Sequence, residues 1–292
     1  MRFMAFAQRG RRGLAIVSAD KSYKGLFEDD AGYPGPLERI IAEEGGLAAA
    51  ARALAGGVAI DPDAVDCLPP LVPGKIICVG LNYLDHAAES AMKAPDYPTL
   101  FARFHSSLVG HGAALVRPPE SDKFDYEGEL VAVIGTGGRR IDKASALDHV
   151  AGYSIFNDGS IRDYQLRTPQ WTMGKNFDGT GPFGPVFVTA DELPPGARGL
   201  HIETRLNGET LQSASTDDLI FDVASLVSLI SVGITLAPGD IIVTGTPSGV
   251  GAARKPPMFM KAGDVCEVEI EKIGTLRNPV EDDRRGVQVR AA

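Results

Sequence analysis

Two glutamates, Glu127 and Glu129, stand two residues apart at the start of the apolar run 130–134. That run is rich in β-branched residues and predicts a buried strand. Side chains two positions apart on a strand share one face, with Cα atoms roughly 6–7 Å apart. Carboxylates at that spacing repel each other unless a cation lies between them, and hard cations prefer oxygen ligands. The pair therefore predicts a divalent-metal site; two solvated glutamates at a strand end are the alternative.

A third carboxylate, Asp158, directly follows the predicted strand 150–157. The chain between the glutamates and this aspartate is long enough for a hairpin-like return to the same pocket. Three carboxylates that leave water positions open suit Mg²⁺ or Mn²⁺. We therefore predict that Asp158 joins the two glutamates as the third metal ligand. Alternatively, Asp158 lies near the start of a helix over 158–165 and caps it, with Arg162 on the same face.

A histidine and a glutamate, His86 and Glu89, follow the apolar run 75–80, which predicts another buried strand. On a helix, positions i and i+3 share a face. An imidazole beside a carboxylate can deprotonate water, because the carboxylate orients the ring and stabilises its charged form. A chance pair on an exposed helical turn is the alternative. Small residues and prolines over 91–98 are typical of a mobile loop or lid.

Other polar side chains suit an anionic ligand. Lys175 lies in the Gly- and Pro-rich segment 171–185, for which we predict little regular structure. There it could anchor an oxyanion or an enolate, or lie on the surface without a role. Arg103, close to two serines, suits a carboxylate group, and a structural surface strand is the alternative. Thr246 lies in a glycine-bearing turn over 244–251, whose hydroxyl and backbone N–H groups can bind an anion.

The placement of these residues depends on a strand-rich chain. The 292 residues include 34 Gly and 20 Pro, which favours many tight turns, in one large domain or two unequal ones. Residues 1–70 are predicted to form a small α/β domain, with a hairpin over 1–17 and helical periodicity over 36–55. A proline-rich link at 68–73 places the boundary near residue 70, before a catalytic domain over 71–292.

The second half of the chain predicts four further elements. They are a hairpin over 202–212, a helix over 222–232, a strand that begins at 241 and ends in a glycine-bearing turn within 241–251, and a last strand over 265–270. The hairpin has Asn207-Gly208 at its turn, a pair that both tolerate positive φ and therefore favour a two-residue connection.

Charge, cysteine content and hydropathy restrict the function. The net charge of −9 argues against non-specific binding to nucleic acid or to an anionic membrane. The cysteines, Cys67, Cys78 and Cys266, are widely spaced and odd in number, which predicts free thiols in a reducing compartment and no zinc site. The sequence has neither a signal-peptide pattern nor an apolar stretch of roughly 18 residues, so we expect a cytoplasmic protein.

Several of these segments resemble the motifs of the fumarylacetoacetate hydrolase family, in the same order along residues 72–280. Each motif is weak alone, but jointly they are highly specific. They are 78–83 with Asp85, His86 and Glu89; Glu127-x-Glu129; Asn157-Asp158 with Arg162, Asp163 and Gln165; 174–177; and 239–242 with 244–251.

The resemblance implies an α+β, β-rich protein, in which a mixed β-sandwich-roll catalytic domain follows the small N-terminal α/β domain, usually in a homodimer. It also implies Mg²⁺ or Mn²⁺ at the carboxylates and action on a small 2-oxo acid. The predicted catalytic residues are His86, Glu89 and Lys175, and the predicted substrate-binding residues are Arg103, Arg162, Gln165 and Thr246.

We expect a metal-dependent hydrolase that cleaves a C–C bond of an acylpyruvate or another 1,3-diketo acid, such as fumarylpyruvate or maleylpyruvate, from aromatic or sugar-acid catabolism. His86, oriented by Glu89, would deprotonate the attacking water, and the metal and Lys175 would stabilise the enolate that leaves. A 2-hydroxymuconate-type isomerase and an oxaloacetate-type decarboxylase on the same scaffold are alternatives, because family membership does not fix the reaction. A non-catalytic oxo-acid-binding protein is a further alternative.

Overall fold

The computed structural model describes residues 1–85 and 95–283, so the predicted catalytic residues His86 and Glu89 lie outside the described residues. Within these ranges the protein is a strand-rich α+β fold built on one large mixed sheet, which confirms the predicted class. All three cysteines are free thiols, as predicted. No helix in the described part of the chain is long and apolar enough to cross a membrane.

The first 70 residues form a small group of strands and helices. They are β1 (Arg2–Gln8), β2 (Arg11–Val17), β3 (Tyr23–Phe27), α1 (Leu37–Ala42), α2 (Gly46–Ala55), β4 (Val58–Ala59) and β5 (Asp66–Cys67). The predicted hairpin is confirmed, and the predicted helical segment forms two helices; Gly45, with a φ of 68°, lies directly before the second.

The remaining described elements follow in chain order. The strands are β6 (Ile76–Gly80), β7 (Thr99–Ala102), β8 (Leu108–Val109), β9 (Leu115–Arg117), β10 (Phe124–Asp125), β11 (Gly128–Ile134), β12 (Val150–Asn157), β13 (Ser160–Ile161), β14 (Gly181–Thr189), β15 (His201–Leu206), β16 (Glu209–Ser215), β17 (Ile241–Val243), β18 (Val265–Ile270) and β19 (Gly274–Asp282). The helices are α3 (Arg162–Gln165), α4 (Thr172–Lys175) and α5 (Val223–Gly233). The β15–β16 hairpin is confirmed, with Asn207 and Gly208 at φ of 54° and 82°.

Strand β11 lies inside the large sheet, whose order is β4-β3-β2-β1-β14-β12-β11-β17-β6-β7. All of its residues are buried, because side chains cover both of its faces. On one face Leu130 and Ala132 share a core with Val268 of the second sheet, whose order is β16-β15-β18-β19-β9. On the other face Val131 and Val133 share a core with α1 and α2. This double coverage explains the uninterrupted apolar run.

The large sheet also includes the N-terminal strands. β1 pairs with β14 in antiparallel fashion, with Phe3 opposite Phe187, and β5 pairs with β1. The first 70 residues and the rest of the chain therefore share backbone hydrogen bonds within one sheet. The division at residue 70 and the homodimer both stay predictions.

The register of β11 decides where the predicted metal ligands lie. β12 runs antiparallel to β11 with Gly128 opposite Asn157, so Asp158 emerges beside Glu127. The Asp158 N–H donates to the Glu127 carbonyl at 2.8 Å. On the other side β17 pairs with β11, and the turn after β17 reaches the same end of the sheet. Segments that are distant in sequence therefore meet at one point.

One alternative and one prediction of local structure were wrong. Asp158 does not begin or cap a helix, because Ser160 and Ile161 first pair with β10 and the helix starts only at Arg162. The segment 171–185, predicted to lack regular structure, contains α4 and the first residues of β14. There Phe183 pairs with β12 although prolines flank it at 182 and 185.

Gly128→Ala should destabilise the fold. A Cβ at residue 128 would stand 2.2 Å from Thr204 Oγ1 and 2.9 Å from Val268 Cγ1, both on the second sheet. Overpacking of this kind costs about 1–3 kcal/mol, which denaturant-induced unfolding would measure. Gly233→Ala is the control, because a Cβ there meets no described atom within 4 Å outside its own helix and neighbours. A Gly128→Ala protein as stable as the wild type would contradict this account of the packing.

Candidate metal centre and active site

Three carboxylates lie together at the end of the large sheet. Each of Glu127, Glu129 and Asp158 offers an oxygen atom, and these atoms lie within 4.8 Å of one another. All three residues are buried, with Asp158 fully inaccessible. The Asn157 side chain contributes to the arrangement by accepting a hydrogen bond from the Glu127 N–H at 2.9 Å. The structure thus brings together the three ligands that the sequence predicts.

Lys175 supplies a positive charge directly to two of these carboxylates. Its Nζ donates to Glu127 Oε2 at 2.5 Å and to Asp158 Oδ2 at 2.6 Å, and its side chain is buried. Burial by itself lowers the pKa of Lys175, but Asp158 and Glu127 outweigh that effect. The pKa is therefore raised, and the ammonium group stays protonated. The short helix α4, rather than an irregular loop, holds the lysine at this position.

Arg103 is packed behind Asp158, away from solvent. Its Nη1 donates to Asp158 Oδ1 at 2.5 Å and to the Gly159 carbonyl at 3.1 Å, and its Nη2 donates to Thr180 Oγ1 at 2.9 Å. Only 3% of the residue is exposed. These contacts favour a role in holding Asp158, while direct binding of substrate by Arg103 stays a prediction.

The turn after β17 holds the second glutamate. The Gly245 N–H donates to Glu129 Oε2 at 2.5 Å. Burial, followed by the charges of Asp158 and Glu127, raises the pKa of Glu129 well above its ordinary value of 4.5. Without a cation in the site, this carboxyl group therefore favours its protonated form.

Thr246 and Gln212 fix the backbone between the two glutamates. The Thr246 hydroxyl donates to the Gly128 carbonyl at 3.0 Å and accepts from Gln212 Nε2 at 2.8 Å. The same glutamine accepts a hydrogen bond from the Gly128 N–H at 3.0 Å. Thr246 thus orients the carboxylate-bearing strand, and its hydroxyl also lies at the cleft described below.

A cleft of about 310 Å³ opens over the carboxylates. Its apolar walls include Val79, Leu81, Phe101, Leu166, Trp171 and Val250, and its polar floor includes the three carboxylates with Arg162, Gln165, Lys175 and Thr246. Phe101 and Trp171 meet edge to face with ring centroids 5.4 Å apart. A small ligand would therefore place its charged end on the floor and its other end against aromatic rings.

A larger groove of about 410 Å³ lies elsewhere, between α1 and the proline-rich link at 68–72. Among the described residues, one group of side chains could bind a metal ion, and it consists of Glu127, Glu129 and Asp158. The candidate metal site therefore lies in the smaller cleft.

Sequence reasoning missed several residues that build this site. Asp125, Asn82 and Gln212 are buried polar residues whose hydrogen bonds hold the site's backbone and side chains. Asn82, for example, donates to the Thr244 carbonyl at 2.7 Å and accepts from the Phe221 N–H at 2.8 Å. The sequence does contain a pattern that indicates Asp125, because it lies two residues before Glu127, as Glu127 lies two residues before Glu129. The other two depend on contacts between distant segments.

The donor set fits a hard divalent cation. Three carboxylates supply oxygen ligands, and the cleft above them leaves room for water or substrate oxygens, as Mg²⁺ and Mn²⁺ require. The raised pKa of Glu129 is the expected property of a carboxylate placed beside two others without a dication. Glu127, Glu129 and Asp158 would hold the ion.

Comparison with known proteins shows the family of the chain. The model of the fumarylacetoacetate hydrolase C-terminal family matches residues 75–281. The chain belongs to this family. It is 46% identical over 221 residues to a fumarylacetoacetate hydrolase domain-containing protein 2 homolog of Dictyostelium discoideum, covering 72% of each chain. It is 43% identical over 240 residues to a mitochondrial oxaloacetate tautomerase of Rattus norvegicus, covering 81% of this chain and 76% of the relative.

Solved structures of the family share the fold. The fumarylacetoacetate hydrolase of Exiguobacterium antarcticum superimposes with a TM-score of 0.84 at 37% identity, covering 97% of this chain and all of the other. The maleylpyruvate hydrolase of Sphingobium sp. SYK-6, solved with manganese(II) and pyruvate, gives a TM-score of 0.79 at 28% identity, with coverage of 97% and 100%.

Glu129→Gln should remove Mn²⁺ binding and, in the metal-free protein, change how stability depends on pH. Because the folded-state pKa of Glu129 is raised, the folded protein keeps a proton that the unfolded chain loses, and the contribution of Glu129 to stability is greatest below its ordinary pKa of 4.5. This contribution is lost as the pH rises through the folded-state pKa. A neutral glutamine neither takes up a proton nor carries a buried charge. The variant should therefore lack this pH dependence and be more stable than the wild type at pH 7. Chemical unfolding at several pH values in EDTA, with calorimetry of Mn²⁺ binding, measures both effects.

Glu209→Gln serves as the control, because Glu209 is an exposed residue at the start of β16. This variant should match the wild type in Mn²⁺ affinity and in the pH dependence of its unfolding. Undiminished Mn²⁺ binding by Glu129→Gln would refute the ligand assignment.

Proposed function

We propose that this protein is a divalent-metal-dependent enzyme that converts a small 2-oxo acid by way of its enolate, with keto–enol tautomerisation of oxaloacetate as the first candidate reaction. The observation that carries the proposal is the buried set of three carboxylates with a protonated lysine at the floor of one cleft. The 43% identity to an oxaloacetate tautomerase supports the choice of reaction.

A divalent cation, when bound, supplies Lewis-acid polarisation of the substrate's 2-oxo group. The residues of this chain then have separate tasks. Lys175, whose pKa is raised, acts as a hydrogen-bond donor to developing oxygen charge and not as a base. Arg162 and Gln165 lie on the cleft floor beside Lys175, where a substrate carboxylate would lie. The apolar walls would contact the rest of the substrate.

Hydrolysis of an acylpyruvate is the second candidate. It would form the same pyruvate enolate but needs an activated water, for which His86 and Glu89 are the predicted residues. The similarity to a maleylpyruvate hydrolase solved with manganese(II) and pyruvate supports this alternative. The walls contain apolar and aromatic side chains that an acyl group could contact. Decarboxylation of oxaloacetate is the third reaction that such a site could perform.

A panel of substrates separates these reactions. Oxaloacetate should be converted between its keto and enol forms, followed by ultraviolet absorbance, with Mn²⁺ or Mg²⁺ and not with EDTA. Release of CO₂ from oxaloacetate would favour the decarboxylase. Formation of pyruvate from acetylpyruvate, fumarylpyruvate or maleylpyruvate, coupled to lactate dehydrogenase, would favour the hydrolase, and its loss in His86→Ala would assign the base. A rate of conversion that is unchanged by EDTA would contradict the proposed metal dependence.

Lys175→Met should separate catalysis from metal binding. Lys175 Nζ donates to the carboxylates of Glu127 and Asp158, two of the residues that would hold the metal, so its removal should leave Mn²⁺ affinity equal or higher. Turnover should fall about 10²–10³-fold, because a preorganised donor to the enolate oxygen is lost. Calorimetry and initial rates measure the two effects, and Lys261→Met, at an exposed side chain, is the control. Parallel loss of Mn²⁺ affinity and turnover would show that Lys175 is a structural residue.

A further inference from the structure

Asp125 is a fully buried carboxylate that lies next to the cleft without lining it. Its Oδ1 accepts from the Gly251 N–H at 2.8 Å and from the Tyr126 N–H at 2.9 Å. Its Oδ2 accepts from the Ala252 N–H at 2.9 Å and from Arg162 Nε at 2.7 Å. Backbone groups thus fix the carboxylate, and its one side-chain partner among the described residues is Arg162.

The fold itself brings these two residues together. β10 pairs with β13 so that Asp125 is opposite Ser160, two residues before Arg162. The Arg162 N–H donates to the Lys123 carbonyl at 3.0 Å, which continues this pairing to the start of α3. The Asp125–Arg162 contact is therefore a consequence of strand register and not of a mobile surface side chain.

Arg162 is held at each of its three nitrogens. Nε donates to Asp125, Nη1 donates to Gln165 Oε1 at 2.9 Å, and Nη2 forms an ion pair with Glu127 Oε1 at 2.7 Å. The Nη2–Glu127 contact is an ion pair without hydrogen-bond geometry, so this buried nitrogen has no hydrogen-bond acceptor among the described residues. A guanidinium group has five N–H donors, so the contacts at Nε and Nη1 leave further N–H groups, and Arg162 is one of the residues that line the cleft.

We propose that Asp125 is a positioning residue: it fixes the plane of the Arg162 guanidinium so that its remaining N–H groups bind the carboxylate of the 2-oxo acid. This inference rests on the proposed function for the identity of the ligand. The bond at Nε fixes the rotation of the planar group, and a planar fork binds a carboxylate through two parallel N–H···O contacts. Asp125 touches neither substrate nor metal and acts through Arg162.

The test compares Asp125→Asn with the wild type, both loaded with Mn²⁺. The amide keeps an oxygen for the Gly251 and Tyr126 N–H groups but presents NH₂ to the donors on Ala252 and Arg162. The KM for the 2-oxo acid and the Kd for oxalate, measured by calorimetry, should both rise about tenfold or more, while kcat changes less. Unchanged oxalate affinity would overturn the inference.

A double-mutant comparison separates positioning from a merely structural role of Asp125 in the 250–252 turn. In an Arg162→Met background, adding Asp125→Asn should cause no further loss of oxalate affinity. If the double variant loses oxalate affinity by the product of the two single-variant factors, Asp125 acts independently of Arg162. Asp122→Asn is the matched control, because Asp122 forms a comparable pair with Arg117 at 3.0 Å on the surface. It should behave as the wild type.

Arg162→Lys covers the case in which Asp125→Asn does not fold. The lysine keeps the charge but has no planar fork, so oxalate affinity should fall; affinity at the wild-type level would overturn the inference. Failure of the Mn²⁺-loaded wild type to bind oxalate would also overturn it. Oxalate binding without conversion of oxaloacetate would count against the proposed reaction alone.

Discussion

The repulsion among three buried carboxylates is the constraint on which the rest of the site depends. Backbone pairing at the end of one sheet forces Glu127, Glu129 and Asp158 within 4.8 Å of one another. Such a group is unfavourable in a folded protein unless cations and N–H donors compensate its charge. The neighbouring cationic side chains and the N–H of the turn after β17 are arranged to meet that requirement.

The negative charge of the three carboxylates is least compensated at Glu129. Lys175 and Arg103 both bind Asp158, and Lys175 and Arg162 both bind Glu127, whereas the Glu129 carboxylate accepts a backbone N–H and keeps a raised pKa. A dication would relieve the remaining repulsion and compete with Lys175 for shared oxygens. In the proposed function the same lysine would then be available to an oxygen atom of the substrate, so one side chain would couple metal binding to turnover.

Much of this could be predicted from the sequence, for physical reasons. Glu129 lies on β11 and Glu127 directly precedes it, so their spacing is a local pattern, and Asn207-Gly208 specifies the β15–β16 turn by its own φ preferences. The burial of Arg103 behind Asp158 and the contact of Asp125 with Arg162 depend on pairings between distant strands, so no local pattern indicates them. The helix at Lys175 was missed because glycine and proline dominate the composition around it. Family motifs supplied the order of the site residues but not their hydrogen bonds.

Crystallography of the protein with Mn²⁺ and oxalate, using anomalous scattering to locate the metal, tests the central claim most directly. The account predicts one Mn²⁺ per chain, within roughly 2.0–2.6 Å of oxygen atoms from Glu127, Glu129 and Asp158. In this complex Lys175 Nζ should donate to an oxalate oxygen in place of at least one of its two carboxylate partners. An anomalous peak elsewhere, or three carboxylates still bridged by Lys175 with no metal among them, would contradict the account.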